Sequence, residues 1–238
     1  MSAAAISLRQ VALGWHGRSI VSGLSGDFAH GSLTAVVGAN GSGKSTLLKT
    51  VMGLLPPLAG SVRHAVPCSR ACAWLPQGAE VDRSFPLRVI DMVAMGAWQR
   101  VGAWGALSRR EWDRAHGALD AVGLAGMGER TLDALSGGQF QRALFARLLL
   151  QDAAVFLLDE PFAAVDLETT QVLMDLVGRW HADGRTVIAV LHDLGMVRSH
   201  FPSALLLAGA NAAWGPTAEV LTDSNLARAR GRPAEEWL

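Results

Sequence analysis

Short apolar runs and longer helical patterns alternate along most of the chain. Four runs are typical of strands buried on both faces of a sheet, at residues 32–37, 154–158, 186–191 and 204–207. Three longer stretches have the apolar periodicity of helices, at residues 46–55, 137–151 and 170–181. Because strands alternate with helices, the pattern predicts an α/β fold built on a parallel sheet.

Two parts of the chain interrupt this alternation. The first 35 residues predict short strands separated by turns, and residues 61–75 contain further strand-like patches that end at Pro76. From residue 85 to about residue 124, charged side chains are interleaved with apolar ones in a helical pattern. We therefore expect a single domain, in which residues 1–77 and 135–238 form the core and residues 78–134 form a helical insertion.

The composition is that of a folded globular protein. Hydrophobic residues make up 50% of the 238 residues and charged residues 18%, which excludes a disordered or fibrous chain. Lys plus Arg and Asp plus Glu number 21 each, so the net charge of zero argues against a strongly basic nucleic-acid surface. Two cysteines cannot build a disulfide framework, and no apolar run reaches the ~18 residues of a membrane span. These features predict a cytosolic protein.

Residues 38–45 fit the phosphate-loop pattern G-x-x-x-x-G-K-[ST] and lie between a predicted strand and a predicted helix. Glycines let backbone N–H groups approach phosphate oxygens closely, and the following helix adds the positive end of its dipole. Lys44 offers a compact charge to the terminal phosphates, and the Ser45 hydroxyl offers a ligand for Mg²⁺. The predicted nucleotide contacts are Gly38, Asn40, Gly41, Ser42, Gly43, Lys44, Ser45 and Thr46.

A predicted buried strand ends in two carboxylates, Asp159 and Glu160. Ligands of parallel sheets bind at the carboxyl ends of the strands, and the phosphate loop also emerges at that edge. Asp159 is therefore a candidate for holding Mg²⁺ through a water molecule, and Glu160 for accepting the proton of an attacking water. Two acids at a strand exit can instead cap the next helix. The phosphate loop favours the catalytic interpretation.

A second segment suited to binding an anion lies at residues 135–139, with the sequence Leu-Ser-Gly-Gly-Gln. Ser136 is a natural N-cap, Gly137 and Gly138 permit close approach, and the following helix begins with free N–H groups. This segment is too far along the chain to belong to the phosphate loop. Two phosphate cradles in one chain indicate that two chains share each nucleotide. A serine-capped helix start without a ligand is the simpler alternative.

Together these segments resemble the nucleotide-binding subunit of ATP-binding cassette (ABC) transporters, over essentially the whole chain. The family's elements occur in order: the phosphate loop, Gln77, residues 135–139, Asp159 with Glu160, residues 163–166 (Ala-Ala-Val-Asp), and His192 before Asp193. The resemblance implies a P-loop NTPase of the ABC ATPase type. Its RecA-like core would contain a mostly parallel sheet, with an N-terminal antiparallel β subdomain and a helical subdomain as an insertion.

The resemblance also implies hydrolysis of ATP, with Mg²⁺, at sites shared within a head-to-tail homodimer. Each ATP would lie between Lys44 of one subunit and residues 135–139 of the other. The contacts from that second segment would be Ser136, Gly137, Gly138 and Gln139. Asp166 would act across the dimer interface, and a two-fold symmetric pair would contain two such sites.

Three further roles follow only from the resemblance. Gln77 would contact Mg²⁺ and the attacking water, and would relay motion to the membrane subunits. His192 would lie at the γ-phosphate, near Glu160. Trp15 stands where the family usually has a tyrosine that stacks on adenine, and a tryptophan face can stack as well. For both His192 and Trp15, a place in the hydrophobic core is the alternative.

The transported substrate must be inferred from other parts of the chain. Three segments are most similar to the ATPases of zinc or manganese importers: residues 85–105, 160–166 and 219–227. The resemblance that ranks second is to the ATPases of siderophore and haem importers. An exporter ATPase and a soluble ABC protein acting on nucleic acid remain alternatives. The single cassette and the zero net charge argue against the second of these, so we expect no nucleic-acid partner.

The resemblance to importers implies particular partners and a place in the cell. The partners would be integral-membrane permease subunits and, indirectly, a periplasmic or extracellular metal-binding protein. The subunit would lie at the cytoplasmic face of the inner membrane, attached through the permease. Residues 85–105, which include Trp98 and Trp104, are apolar enough to receive a short permease helix, and the insertion's own core is the alternative.

His64, Cys68 and Cys72 have the spacing H-x₃-C-x₃-C, which raises the question of a regulatory zinc site. Residues 65–75 have the pattern of a strand, however, and positions four apart in a strand are about 13 Å distant along the chain. Such a strand would keep the three side chains from reaching one ion. The pattern therefore argues against a zinc site here.

Overall fold

The computed structural model describes residues 3–15, 17–78, 82–102, 105–163, 165–209 and 211–230, so Trp104 and Ala164 lie outside the described residues. The strands are β1 (Ala4–Trp15), β2 (Arg18–Ala29), β3 (Leu33–Gly38), β4 (Ala59–His64), β5 (Cys72–Leu75), β6 (Val155–Asp159), β7 (Thr186–Val190), β8 (Ser203–Ala208) and β9 (Asn211–Pro216). The α-helices are α1 (Lys44–Val51), α2 (Cys68–Ala71), α3 (Val89–Ala94), α4 (Trp98–Val101), α5 (Arg109–Ala121), α6 (Gly137–Gln151), α7 (Leu167–Ala182), α8 (Leu194–His200), α9 (Thr217–Val220) and α10 (Asp223–Arg230). Short 3₁₀ turns lie at Met95–Ala97 and Leu132–Ala134.

The larger sheet has six strands in the order β5-β6-β7-β3-β8-β9. The first five of these strands are parallel, and β9 pairs antiparallel with β8 at one edge. This confirms the predicted α/β fold with a mostly parallel sheet. Strands β5, β6, β7 and β3 are consecutive neighbours, so the residues that follow them emerge side by side at the carboxyl edge.

Side chains of the parallel strands alternate between two hydrophobic cores. On β6, Phe156 and Leu158 belong to a core that also contains buried residues of α6 and α7. The alternate residues, Val155 and Leu157, belong to a second core with α1 and the N-terminal strands. The continuous apolar runs in the sequence reflect this burial on both faces, because neither face of a strand needs polar side chains.

The smaller sheet is antiparallel, with the order β2-β1-β4. Strands β1 and β2 are each 12 residues long. The prediction of short strands in this region was therefore wrong. The register of β1 shifts between Leu8 and Val11, and Gln10 has a positive φ of 51°. This irregularity changes the phase of the apolar alternation, and a single long strand therefore resembles two short ones in sequence.

The inserted segment is helical, as predicted, but it is divided into short helices. Val89, Ile90 and Val93 of α3 are buried in the core that also contains α6. Two large apolar side chains of the same segment face solvent, with Phe85 64% exposed and Trp98 58% exposed. The insertion therefore shares the core that lies between α6, α7 and the large sheet, and it also presents exposed apolar side chains.

Residues 65–75 do not form the continuous strand that the sequence pattern predicted. Strand β4 ends at His64, Pro67 is the N-cap of α2, and β5 begins at Cys72. Proline near a helix start is compatible with the helix because its missing N–H is not needed there. Cys68 and Cys72 are joined by a disulfide, with their Cα atoms 4.9 Å apart. This single bridge links two neighbouring elements and is not a framework.

The C-terminal region contains elements that the sequence pattern did not predict. Strand β9 extends the sheet, and α9 and α10 follow it. Strand β9 pairs antiparallel with β8 from Ser203 to Ala208. The antiparallel direction is possible because a short hairpin connects the two strands. Among the described residues, no helix combines the length and apolar character that a membrane span would require.

Three aromatic rings join the two helices α6 and α7 to the sheet. The Trp180 ring of α7 stacks on Phe156 of β6, with ring centroids 4.0 Å apart, and on Phe145 of α6 at 5.8 Å. All three side chains are buried. Because the three rings come from three different elements, the stack stabilises the packing of both helices against β6.

We expect Phe156→Ala to lower the free energy of unfolding by about 3–5 kcal/mol, because it leaves a cavity under the Trp180 ring. Denaturant unfolding followed by circular dichroism measures this change. Phe85→Ala removes the same ring from an exposed position and should change stability by no more than about 0.5 kcal/mol. Equal effects of the two substitutions would contradict the assigned role of the stack.

Candidate active site

The phosphate loop connects β3 to α1, and its backbone requires glycine. Gly38, Gly41 and Gly43 all have positive φ angles, of 154°, 77° and 95°. A Cβ atom at Gly38 would lie 2.5 Å from the Leu207 carbonyl oxygen and from the Ser42 hydroxyl, which is too close for any side chain. The glycines therefore allow a tight turn of backbone at the start of α1, as the sequence motif predicts.

Lys44 is the first residue of α1, and it is only 6% exposed. Its Nζ donates hydrogen bonds to the carbonyl oxygens of Gly38, at 2.9 Å, and Ala39, at 3.0 Å. Burial lowers the pKa of Lys44, while the negative charges of Glu160 and Asp159 oppose this change. The ammonium group is thus held inside the loop, close to the two carboxylates at the end of β6.

Ser45 and Asp159 meet between α1 and the end of β6. The Ser45 Oγ donates a hydrogen bond to Asp159 Oδ1 at 3.1 Å, and Asp159 is buried. Strand β7 alone separates β6 from β3, so the sheet brings the phosphate loop and this carboxylate together across 114 residues of sequence. Their oxygen atoms form one polar cluster at the carboxyl edge.

Glu160 contacts residues that follow two neighbouring strands. Its Oε1 lies 2.7 Å from Nε2 of His192, which follows β7, and its Oε2 accepts a hydrogen bond from Nε2 of Gln77 at 2.9 Å. Gln77 follows β5, so the three side chains come from three adjacent strands. Glu160 has a positive φ of 49°, a conformation that costs energy for a residue with a Cβ and that often occurs at functional sites.

The open side of the phosphate loop is a pocket that includes the loop, Glu160 and one residue of β2. Its lining residues are Ile20, Asn40, Gly41, Gly43, Lys44, Ser45, Thr46 and Glu160. Trp15 lies at the end of β1, paired with Arg18 on the hairpin that also carries Ile20. Because Trp15 is 55% exposed, it is not a core residue. Its stacking on adenine stays a prediction.

The second predicted cradle is a capped helix start at the surface. Ser136 is the N-cap of α6, and its Oγ accepts a hydrogen bond from the Gln139 N–H while Gln139 Oε1 accepts one from the Ser136 N–H. Ser136 and Gly137 are exposed. Of the described residues, none from 135–139 lines the pocket at the phosphate loop. The two predicted cradles are therefore separate within one chain.

Asp166 belongs to this second group of residues. It is the N-cap of α7 and accepts hydrogen bonds from the backbone N–H of Thr169, at 2.7 Å, and from its hydroxyl, at 3.0 Å. These two bonds lower the pKa of Asp166. A Cβ at Gly138 would lie 3.4 Å from Asp166 Oδ2, so the two positions are neighbours in space.

The sequence matches the ABC transporter family over residues 21–163, which is more than half of the chain. The chain belongs to this family. Its motifs and fold are those of an ABC ATPase, the ATP-hydrolysing subunit of such transporters, as the sequence analysis predicted.

Several curated relatives of this ABC ATPase are subunits of metal transport systems. The manganese transport system ATP-binding protein MntB of Bacillus subtilis is 35% identical over 230 residues, which cover 95% of this chain and 92% of the relative. The zinc transport system ATP-binding protein TroB of Treponema pallidum is 37% identical over 234 residues, covering 97% of this chain and 88% of the relative.

Solved structures support the same fold. A putative metal-chelate type ABC transporter in an inward-facing conformation superposes with a TM-score of 0.87 at 28% identity, covering 97% of this chain and 90% of that chain. A dimeric ATP-binding cassette with ADP and Pi has a TM-score of 0.77 at 22% identity, covering 88% of this chain and 98% of that chain. The second likeness concerns the fold alone.

The structure reveals two residues around the ABC ATPase site that sequence reasoning missed. Gln141 is buried in α6, and its Nε2 donates a hydrogen bond at 2.7 Å to the carbonyl oxygen of Pro161, which follows Glu160. The guanidinium of Arg83 lies 4.8 Å from the centre of the Phe140 ring and also donates to the Leu135 carbonyl. Gln141 had one sequence signal, since it is a polar residue within an otherwise apolar helix face.

We expect Glu160→Gln to slow ATP hydrolysis by about 10²–10⁴-fold and to leave nucleotide binding nearly unchanged. The amide keeps the shape of the side chain but cannot accept a proton from water. Phosphate release in single-turnover experiments measures the first effect, and binding of a fluorescent ATP analogue measures the second. Glu219→Gln, at an exposed position on α9, is the matched control. Hydrolysis by Glu160→Gln at the unaltered rate would refute the assignment of the base.

Proposed function

We propose that this ABC ATPase powers the import of a metal ion, zinc or manganese, through a membrane permease. The observation that carries the proposal is the identity of 35–37% with manganese and zinc transport subunits over 95–97% of the chain. The ATPase itself would not contact the transported ion. The likeness to a putative metal-chelate transporter, at 28% identity, favours import of a siderophore or haem as the second candidate.

The residues at the carboxyl edge suit hydrolysis of ATP. The glycine-rich loop and Lys44 would bind the phosphates, since backbone N–H groups and a compact ammonium complement their charge. Glu160 would accept the proton of the attacking water. Its hydrogen bonds with Gln77 and His192 support this role, because they hold the carboxylate in one orientation from two sides.

The oxygen atoms near the phosphate loop fit a magnesium ion. Ser45, Asp159 and Gln77 supply a hydroxyl, a carboxylate and an amide oxygen, which are the hard ligands that Mg²⁺ prefers. The close pair of Ser45 Oγ and Asp159 Oδ1, 3.1 Å apart, supports this assignment. When bound, the ion would supply positive charge that offsets part of the negative charge of the phosphates.

A head-to-tail homodimer would complete each site. The support is that Ser136 and Gly137 are exposed at the start of α6, since the first turn of a helix is suited to binding an anion. In such a pair, residues 135–139 of one subunit would meet the phosphate loop of the other. Asp166 would lie at the same interface, because it caps α7 beside Gly138.

We expect Ser136→Arg to abolish cooperative ATP hydrolysis while single chains still bind ATP, because the larger side chain blocks the second cradle. The dependence of the hydrolysis rate on protein concentration measures the first effect, and nucleotide binding by dilute protein measures the second. Ser199→Arg, at an exposed position on α8, introduces the same side chain away from the cradle. Cooperative turnover that survives Ser136→Arg would count against shared sites.

The permease would bind the inserted helical segment. The exposed Phe85 and Trp98 side chains support this assignment, since a short apolar permease helix could cover them. Through this contact the ATPase would be held at the cytoplasmic face of the inner membrane. A periplasmic or extracellular metal-binding protein would be an indirect partner on the other side of the membrane.

We expect cells that lack their own zinc and manganese importers to accumulate zinc or manganese when this ATPase is expressed with its permease and binding protein. Elemental analysis of washed cells measures the uptake. The same system carrying Glu160→Gln should accumulate no more metal than cells without it. Uptake of a ferric siderophore or haem in place of both ions would establish the second candidate, and ATP-dependent efflux would refute import.

A further inference from the structure

A cluster of sulfur and nitrogen atoms lies away from the active site, where three elements converge. His64 ends β4, Cys68 begins α2, and Cys72 begins β5. One potential ligand atom from each of these three side chains lies within 4.8 Å of the other two. The helical turn of α2 produces this arrangement, because it folds the two cysteines back towards each other and towards the end of β4. The expectation that the chain spacing would keep them apart was therefore wrong.

The surroundings of the cluster suit a soft metal ion. Cys68 and Cys72 are buried, and the Sδ atom of Met52 lies 3.7 Å from the Cys68 Sγ. His64 is partly buried beside the two cysteines. An imidazole nitrogen is a common zinc ligand in combination with cysteine thiolates.

We propose that Cys68 and Cys72, once their disulfide is reduced, bind one zinc ion together with His64. Two thiolates and one imidazole are a common ligand set for zinc, with the fourth tetrahedral position left to water. Manganese prefers oxygen ligands, so the site should discriminate strongly between these two ions. The binding of zinc to the reduced chain is independent of the proposed transport function.

Replacing the disulfide by a bound zinc ion requires a reductant and releases protons. A dithiol breaks the S–S bond, leaving two cysteine thiols while the dithiol itself becomes a cyclic disulfide. Zinc binding then replaces the two thiol protons, which are released to solvent. Because the same two sulfur atoms form the disulfide and the zinc ligands, each chain can hold the bridge or the ion but not both.

A competition titration with a chromophoric zinc chelator, on the full chain without nucleotide, tests the proposal. We expect the reduced chain to bind one equivalent of zinc, the disulfide form to bind none at this site, and manganese not to compete. Cys68→Ser and Cys72→Ser should abolish binding in the reduced state, and His64→Ala should weaken it by at least about 10-fold. His116→Ala, at an exposed position on α5, is the matched control.

A second measurement does not depend on any variant. The chain has two cysteines in total, so alkylation followed by mass spectrometry reports directly on this pair. Bound zinc should slow the alkylation of both thiols in the unaltered, reduced protein. A reduced chain that binds no zinc, or serine variants that bind it as well as the unaltered chain does, would overturn the proposal. Failure of metal uptake in cells, with zinc binding intact, would refute the proposed function alone.

Discussion

The parallel pairing of β5, β6, β7 and β3 is the constraint on which the candidate active site depends. Each strand delivers one segment of this site to the same edge of the sheet, and the hydrogen bonds of Glu160 with Gln77 and His192 join three of these segments. None of these contacts is local in sequence, since Gln77 and Glu160 are 83 residues apart. A shift in the register of any one strand would separate the carboxylate from its partners.

Much of this arrangement could be predicted from sequence because its physical requirements are local. Strands buried on both faces need continuous apolar runs, and the phosphate loop needs glycine where a Cβ would meet the Leu207 carbonyl. The capping of α6 by Ser136 was likewise predictable from a few adjacent residues. Periodicity and motif spacing contain this information directly.

The features that sequence reasoning missed depend on tertiary contacts or on breaks in periodicity. The bulge at Gln10 changes the phase of β1, which concealed a long strand. Between His64 and Cys72, a single helical turn replaces the predicted strand. Because of this turn, the side chains of His64, Cys68 and Cys72 lie close together, contrary to the prediction. Gln141 and Arg83 make contacts with residues whose proximity only the folded chain reveals.

The hydrogen bond between Gln141 and the Pro161 carbonyl ties the helix behind Ser136 to the loop that carries Glu160. Within one chain this bond merely braces two neighbouring segments. In a head-to-tail pair, the same helix would face the nucleotide of one site while the loop serves the other. A displacement at one nucleotide would then reach Glu160 of the second site through the buried Gln141 amide. The two sites would therefore be mechanically coupled.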